Sequence, residues 1–99
     1  MVKLLMTWDI QQGKEESYFE FVIKEFSPKL LSLGIQPTDS WYTVYGEAPQ
    51  ILSGAVADDL ETMTKVLAGD DWRELEQKLL EYVTNYSRKV VEASGGFQL

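Results

Sequence analysis

Few side chains in this sequence could do chemistry, and their types narrow which chemistry is open. The 99 residues include no histidine and no cysteine. The commonest general base, the commonest transition-metal ligand and every thiolate nucleophile are therefore missing. A Ser-His-Asp or Cys-His site cannot be assembled within one chain. Carboxylates, hydroxyls and rings remain. Asp9 stands near the end of an alternating segment, VKLLMTWDI, opposite the side that carries Val2, Leu4, Met6, Trp8 and Ile10. In a closed cavity its pKa would rise and it could act as a base; in water it is an ordinary carboxylate at a strand end. Thr7 and Ser53 could offer hydroxyls to a ligand, or simply fill sheet positions. Trp41, Tyr42 and Tyr45 fall within five positions. Such rings suit the wall of a pocket for a flat apolar molecule, and they suit core or dimer packing equally well.

The acid pairs Asp58–Asp59 and Asp70–Asp71 each stand where a helix should begin, and capping accounts for them. Hard-cation sites need more oxygen ligands at defined spacing, and no D-x-D-x-D-G loop occurs. Neither a metal nor a cofactor is expected. Nine basic residues against sixteen acidic ones give a net charge of −7. That surface repels nucleic-acid phosphates and anionic membranes, so neither is expected as a partner. The apolar runs are too short to span a bilayer. MVKLLMTWDI lacks a signal-peptide core, so a cytoplasmic location is expected. The length suits one domain, residues 1–99, burying roughly 65% of its unfolded surface. Aromatics at 12% are rich for so small a core and hint at a partner surface.

Periodicity supplies the elements that must hold these residues. Residues 2–10 alternate strictly and predict a strand with one fully apolar face. Phe19, Val22, Ile23, Phe26, Leu30 and Leu33 predict an amphipathic helix over 14–33, kinked at Pro28 or restarted with Ser27 as cap, and closed by Gly34. IQPTD reads as a loop, residues 40–46 as a strand, GEAPQ as a turn, and ILSGAVA (51–57) as the returning strand. The small residues of that strand imply that something bulky approaches it. Asp58 with Glu61 predicts a short helix to Leu67, with Leu60, Met63 and Leu67 inward. Asp70 or Asp71 then caps a second helix, whose stripe Trp72, Leu75, Leu79, Tyr82, Val83, Tyr86 and Val90 runs to about residue 92. Phe97–Leu99 would be a short last strand. The order β-α-β-β-α-β predicts an α+β, ferredoxin-like fold: a four-stranded antiparallel sheet with both helices on one face.

The other face of such a sheet has no helix to cover it, and at least one large ring must look that way. A second copy is the simplest cover. In this layout the chain resembles the dimeric α/β-barrel superfamily, which includes the stress-responsive Dabb proteins, the NIPSNAP proteins and the antibiotic-biosynthesis monooxygenases. VLAGDDWRELEQKLLEYVTNYSRKVV (66–91) is similar to their second-helix region, and WYTVYGE (41–47) to their aromatic second strand. The resemblance implies a homodimer whose two sheets face each other across a cavity. Several enzymes of the superfamily use a histidine there, which this chain lacks. Others position a substrate with polar and aromatic side chains and let it react with oxygen without a cofactor.

Two functional expectations follow. In one, the dimer binds or acts on a small hydrophobic or aromatic molecule in the cavity between the sheets, in a monooxygenase-like or related cofactor-independent way. Asp9 would then be the catalytic candidate, with Thr7, Trp41, Tyr42, Tyr45 and Ser53 lining the cavity. In the other, the rings only seal a non-enzymatic assembly or regulatory module.

Overall fold

A computed structural model describes residues 1–93. Its elements are β1 (Val2–Ile10), α1 (Glu15–Phe21), a π-helical turn (Val22–Phe26), α2 (Ser27–Ser32), β2 (Gln36–Tyr42), β3 (Ile51–Ala57), α3 (Leu60–Leu67), α4 (Asp70–Leu79) and β4 (Val83–Glu92). The strands form one antiparallel sheet in the order β2-β3-β1-β4. Each helical connection joins two parallel strands that flank a third, the ferredoxin-like arrangement.

β1 organises the core. Val2, Leu4, Met6, Trp8 and Ile10 are all buried, and the residues between them are only half-buried. Against that face pack Tyr18, Phe21, Phe26 and Leu30 from the first helix and Met63, Trp72, Leu75 and Leu79 from α3 and α4. Trp8 is the hub: the rings of Tyr18, Phe26 and Tyr86 lie 6.3, 6.1 and 6.2 Å from it, the first two edge-on.

The first helix runs through Pro28 rather than restarting there. Ser27 is fully helical and caps nothing (φ −64°, ψ −46°). The π turn immediately upstream widens the helix where the proline ring would press on a carbonyl four residues back. It also resets the helical phase. The inward stripe is Tyr18, Phe21, Phe26 and Leu30, while Phe19 and Ile23, expected inside, stay 47% and 72% exposed. Gly34, at φ +94°, ends α2 as expected. Its N–H donates to Leu31 O and that of Ile35 to Leu30 O, the paired bonds of a Schellman motif.

Four boundaries differ from the periodic reading. β2 begins at Gln36 and ends at Tyr42, so Thr43 to Gln50 form the connection and IQPTD lies largely in the strand. Asp59, not Asp58, caps α3: Thr62 N–H donates to its carboxylate at 2.7 Å. Met63 faces inward there, while Leu60 is 55% exposed. Gly69 occupies the cap position of α4, and Asp70 and Asp71 lie in its first turn, where the helix dipole favours them.

The largest change is β4. The second helix ends at Leu79, and residues 83–92, expected to continue it, form the fourth strand. Asn85, at φ +54°, marks a bulge where β4 carries one extra residue against β1. The bulge puts Val83 and Tyr86 on one face three residues apart, which imitates helical spacing. The expected strand at Phe97–Leu99 lies outside the described residues. α4 is tied to β4 by Glu76, whose Oε2 accepts from Tyr86 Oη at 2.5 Å and Arg88 Nε at 2.9 Å.

Leu4 is fully buried at the centre of the apolar face. Leu4→Ala should lower the unfolding free energy by about 2–5 kcal/mol in chemical denaturation. A loss below about 1 kcal/mol would place the core elsewhere.

Candidate functional site

Strand register sorts the candidate residues onto two faces. Three rows cross the face without helices: Trp41–Leu52–Thr7–Ser87, Asp39–Gly54–Leu5–Lys89, and Gln36–Val56–Lys3–Val91. Lys3 reaches diagonally across the middle row to Asp39, Nζ to Oδ2 3.3 Å. The pair passes directly over Gly54, where an added Cβ would lie 2.6 Å from both side chains. A depression of about 370 Å³ opens beside it, lined by Leu5, Thr7, Leu52, Ser87, Arg88 and Lys89. Thr7 and Trp41 therefore share this open face, and Trp41 is 52% exposed.

Tyr42 and Ser53 lie on the opposite, helix-bearing face, in register with Ile51 and Ser40 of the rows Tyr42–Ile51–Trp8 and Ser40–Ser53–Met6. Tyr45 belongs to neither face. It stands in the connection after β2, 97% exposed. The six candidates thus do not converge on one cavity within a single chain.

Asp9 is a tether. Its Oδ1 accepts from the N–H of Gln50 at 2.8 Å, and its Oδ2 from Nδ2 of Asn85 at 2.9 Å. Gln50 in turn accepts from the N–H of Ile10 through Oε1 at 2.8 Å and donates through Nε2 to Tyr42 Oη at 2.8 Å. One carboxylate so fastens the end of β1 to the entry of β3 and the bulge of β4. The hydrogen bond from Asn85, then that from Gln50, hold its pKa below the usual value, the reverse of what a general base at neutral pH requires.

The helix-bearing face holds a gap of its own. On β3 this face carries Ser53, Ala55 and Ala57, with Pro37 and Ser40 alongside on β2. Side chains so small cannot fill the space beneath a helix. A cleft of about 250 Å³ results. Trp8, Tyr18, Val22, Phe26 and Leu30 line it on one side, residues 37–40 and 53–55 on the other. The π turn contributes Val22 and Phe26 to its roof. Ser27, Thr38, Ser40 and Ser53 give it hydroxyls. Tyr18 is 3% exposed, and its Oη accepts from Trp8 Nε1 at 2.9 Å. Burial pushes the Tyr18 pKa up, partly offset by that hydrogen bond.

Sequence reasoning singled out Ser53 for a cavity between two sheets, whereas it lies on the helix side, and it passed over the neighbours that Ser53 has there. The signal available was the run of small residues in β3, which implied a bulky occupant. A larger depression, about 430 Å³, lies between the first helix and α4, but six charged side chains surround its apolar Pro28 and Leu75. That lining is a solvated groove rather than an apolar pocket. Among the described residues no cluster of potential metal ligands occurs, and no helix is long and apolar enough to cross a membrane.

Solved structures match this architecture over nearly the whole chain. A protein from Arabidopsis thaliana aligns with a TM-score of 0.79 at 12% identity, covering 99% of this chain and 100% of its own. A NIPSNAP domain protein from Burkholderia xenovorans gives 0.71 at 13%, with 99% of each chain covered. A candidate antibiotic-biosynthesis monooxygenase from Deinococcus radiodurans gives 0.74 at 16%, with 100% and 98% covered. The chain has the ferredoxin-like fold of these proteins. No family model and no curated protein matches its sequence.

The Asp9 tether predicts a pH effect. A carboxylate whose folded pKa is depressed stabilises above its unfolded value of about 3.9, and that stability is lost as pH falls through the folded value. Asn85→Gly keeps the left-handed backbone and removes the donor. The Asp9 pKa, followed by carboxyl NMR, should rise in this variant, and acid unfolding should become less steep. An unchanged Asp9 pKa would remove Asn85 as its cause.

Proposed function

We propose that this protein binds a small, flat, largely apolar molecule in the cleft between the first helix and strands β2 and β3. The carrying observation is the cleft itself: an apolar gap floored by Trp8, roofed by a π-helical turn and edged with hydroxyls. Pockets of this character, mostly apolar with a few placed polar groups, hold small ligands, and π turns are frequent at functional sites. Its volume falls just below the usual range for ligand pockets and suits a molecule no larger than one or two fused rings. Oxygenation, the chemistry in the name of the Deinococcus protein, is the enzymatic form of this reading.

The working unit is a homodimer with the two open sheet faces together. Trp41, Leu52, Leu5, Val56 and Val91 give that face apolar area that no helix covers. Its charges balance, Lys3 and Lys89 against Asp39 and Asp9, in a chain of net charge −7. Two acidic copies can therefore approach on this side with less repulsion than elsewhere. Such a pairing would also enclose the depression beside Thr7, which is where a ligand held between the sheets would lie. A purely structural module would keep the dimer and leave the helix-side cleft empty.

Two measurements check this. Calorimetric titration with naphthalene-sized aromatics should give saturable binding that Ser53→Phe, which fills the cleft, abolishes without unfolding the chain. Binding that survives Ser53→Phe would move the site. Sedimentation should report about twice the 11.3 kDa chain mass, and Leu52→Glu should return it to one. A wild-type chain that stays single at micromolar concentration would remove the dimer.

A further inference from the structure

Within that cleft, one polar group is left with an unused capacity. An indole N–H only donates, so the bond between Trp8 and Tyr18 occupies a lone pair of the phenol oxygen and leaves its proton unspent. Among the described residues no protein group accepts that proton. The phenol cannot easily turn away, because Trp8 is 1% exposed and wedged among the rings of Tyr18, Phe26 and Tyr86. A buried donor without an acceptor costs free energy that a suitable ligand atom recovers.

Charge restricts the ligand further. Asp39 is the one charged residue among those lining the cleft, but its carboxylate lies over Gly54 on the open face, with Oδ2 held by Lys3 and Oδ1 by the Thr38 hydroxyl at 3.0 Å. No cation lines the cleft to meet a ligand carboxylate. An anion would exchange its hydration there for neutral hydroxyl donors alone, with no positive charge beside it, and a cation would find no carboxylate facing it. A pure hydrocarbon would fit but leave the phenol proton unmet.

We propose that Tyr18 is the recognition residue of the cleft, and that it selects an uncharged aromatic molecule bearing an acceptor oxygen, such as a ketone or ester carbonyl. Tyr18 donates to that oxygen while Trp8 fixes the phenol from the other side. Burial keeps Tyr18 protonated throughout the physiological range, so the donor is always present. The hydroxyls of Ser27, Ser40 and Ser53 line the same cleft and can serve other polar atoms of the ligand. The inference rests on the cleft being the binding site.

The test uses three probes of one shape: acetylnaphthalene, isopropylnaphthalene and naphthoate. The ketone should bind the intact protein about tenfold more tightly than the hydrocarbon, the span of one well-made hydrogen bond, with the carboxylate weakest. Tyr18→Phe should bring ketone and hydrocarbon to equal affinity while leaving the hydrocarbon within about threefold of its wild-type value. The variant orphans the Trp8 N–H and could fold poorly. The wild-type comparison does not depend on it, and the Tyr18 ring carbon that bears the hydroxyl should shift further in NMR spectra with the ketone than with the hydrocarbon. Equal affinities for ketone and hydrocarbon in the wild type would overturn the role of Tyr18 while leaving the cleft as a binding site. So would a preference that survives Tyr18→Phe, or a carboxylate that binds best. If none of the three binds, both the cleft and the role of Tyr18 fall.

Discussion

The fold depends on one strand with two unequal faces. β1 lies inside the sheet, between β3 and β4, and its residues at every second position are apolar and buried. That face has to be covered along its whole length, and both helical connections are drawn to it. Everything functional follows from the resulting imbalance. The far side of the sheet is left bare, and the near side must reconcile large rings from the helices with whatever β2 and β3 provide. Where those strands offer serine, alanine and proline, the layers do not close, and a cleft remains beside Trp8.

The pattern of residues discloses some of this directly. The strict alternation of β1 and the run ILSGAVA became strands with the expected limits, and Gly34 ends the first helix as its position implied. Local chemistry decides these features, so they can be read locally. The π turn and the β4 bulge could not be read this way. Each inserts one residue into a regular repeat, and the phase error passes for a different period: a stripe displaced by one residue in the first case, a helix in place of a strand in the second. Pro28 was the available sign of the first irregularity. Asn85, a residue that tolerates left-handed backbone, was the available sign of the second.

The candidate site was less legible than the fold, for a geometric reason. A side chain's face depends on the pairing register, and a shift of one residue exchanges the two faces. Trp41 and Thr7 look outward, Ser53 and Tyr42 toward the helices, and Tyr45 stands in the connecting loop. Asp9 was singled out for its position at a strand end, and that position explains its structural task as well. Strand ends are where neighbouring loops leave N–H groups in need of an acceptor, and here Gln50 and Asn85 supply the donors. Tyr18, by contrast, carries no mark in the sequence that separates it from core. Its aromatic ring is core; only the direction of one hydrogen bond marks its hydroxyl as unfinished.

The claim that the binding site lies beneath the helices, rather than on the bare sheet, is tested most directly by mapping backbone amide shifts while an aromatic ketone is titrated in. The account predicts perturbations concentrated at Val22, Phe26 and Ser27, at Thr38 to Ser40 and at Ser53 to Ala55, with Leu5, Ser87 and Lys89 quiet. Shifts confined to Leu5, Thr7, Leu52, Ser87 and Lys89 would contradict it and return the ligand to the open face.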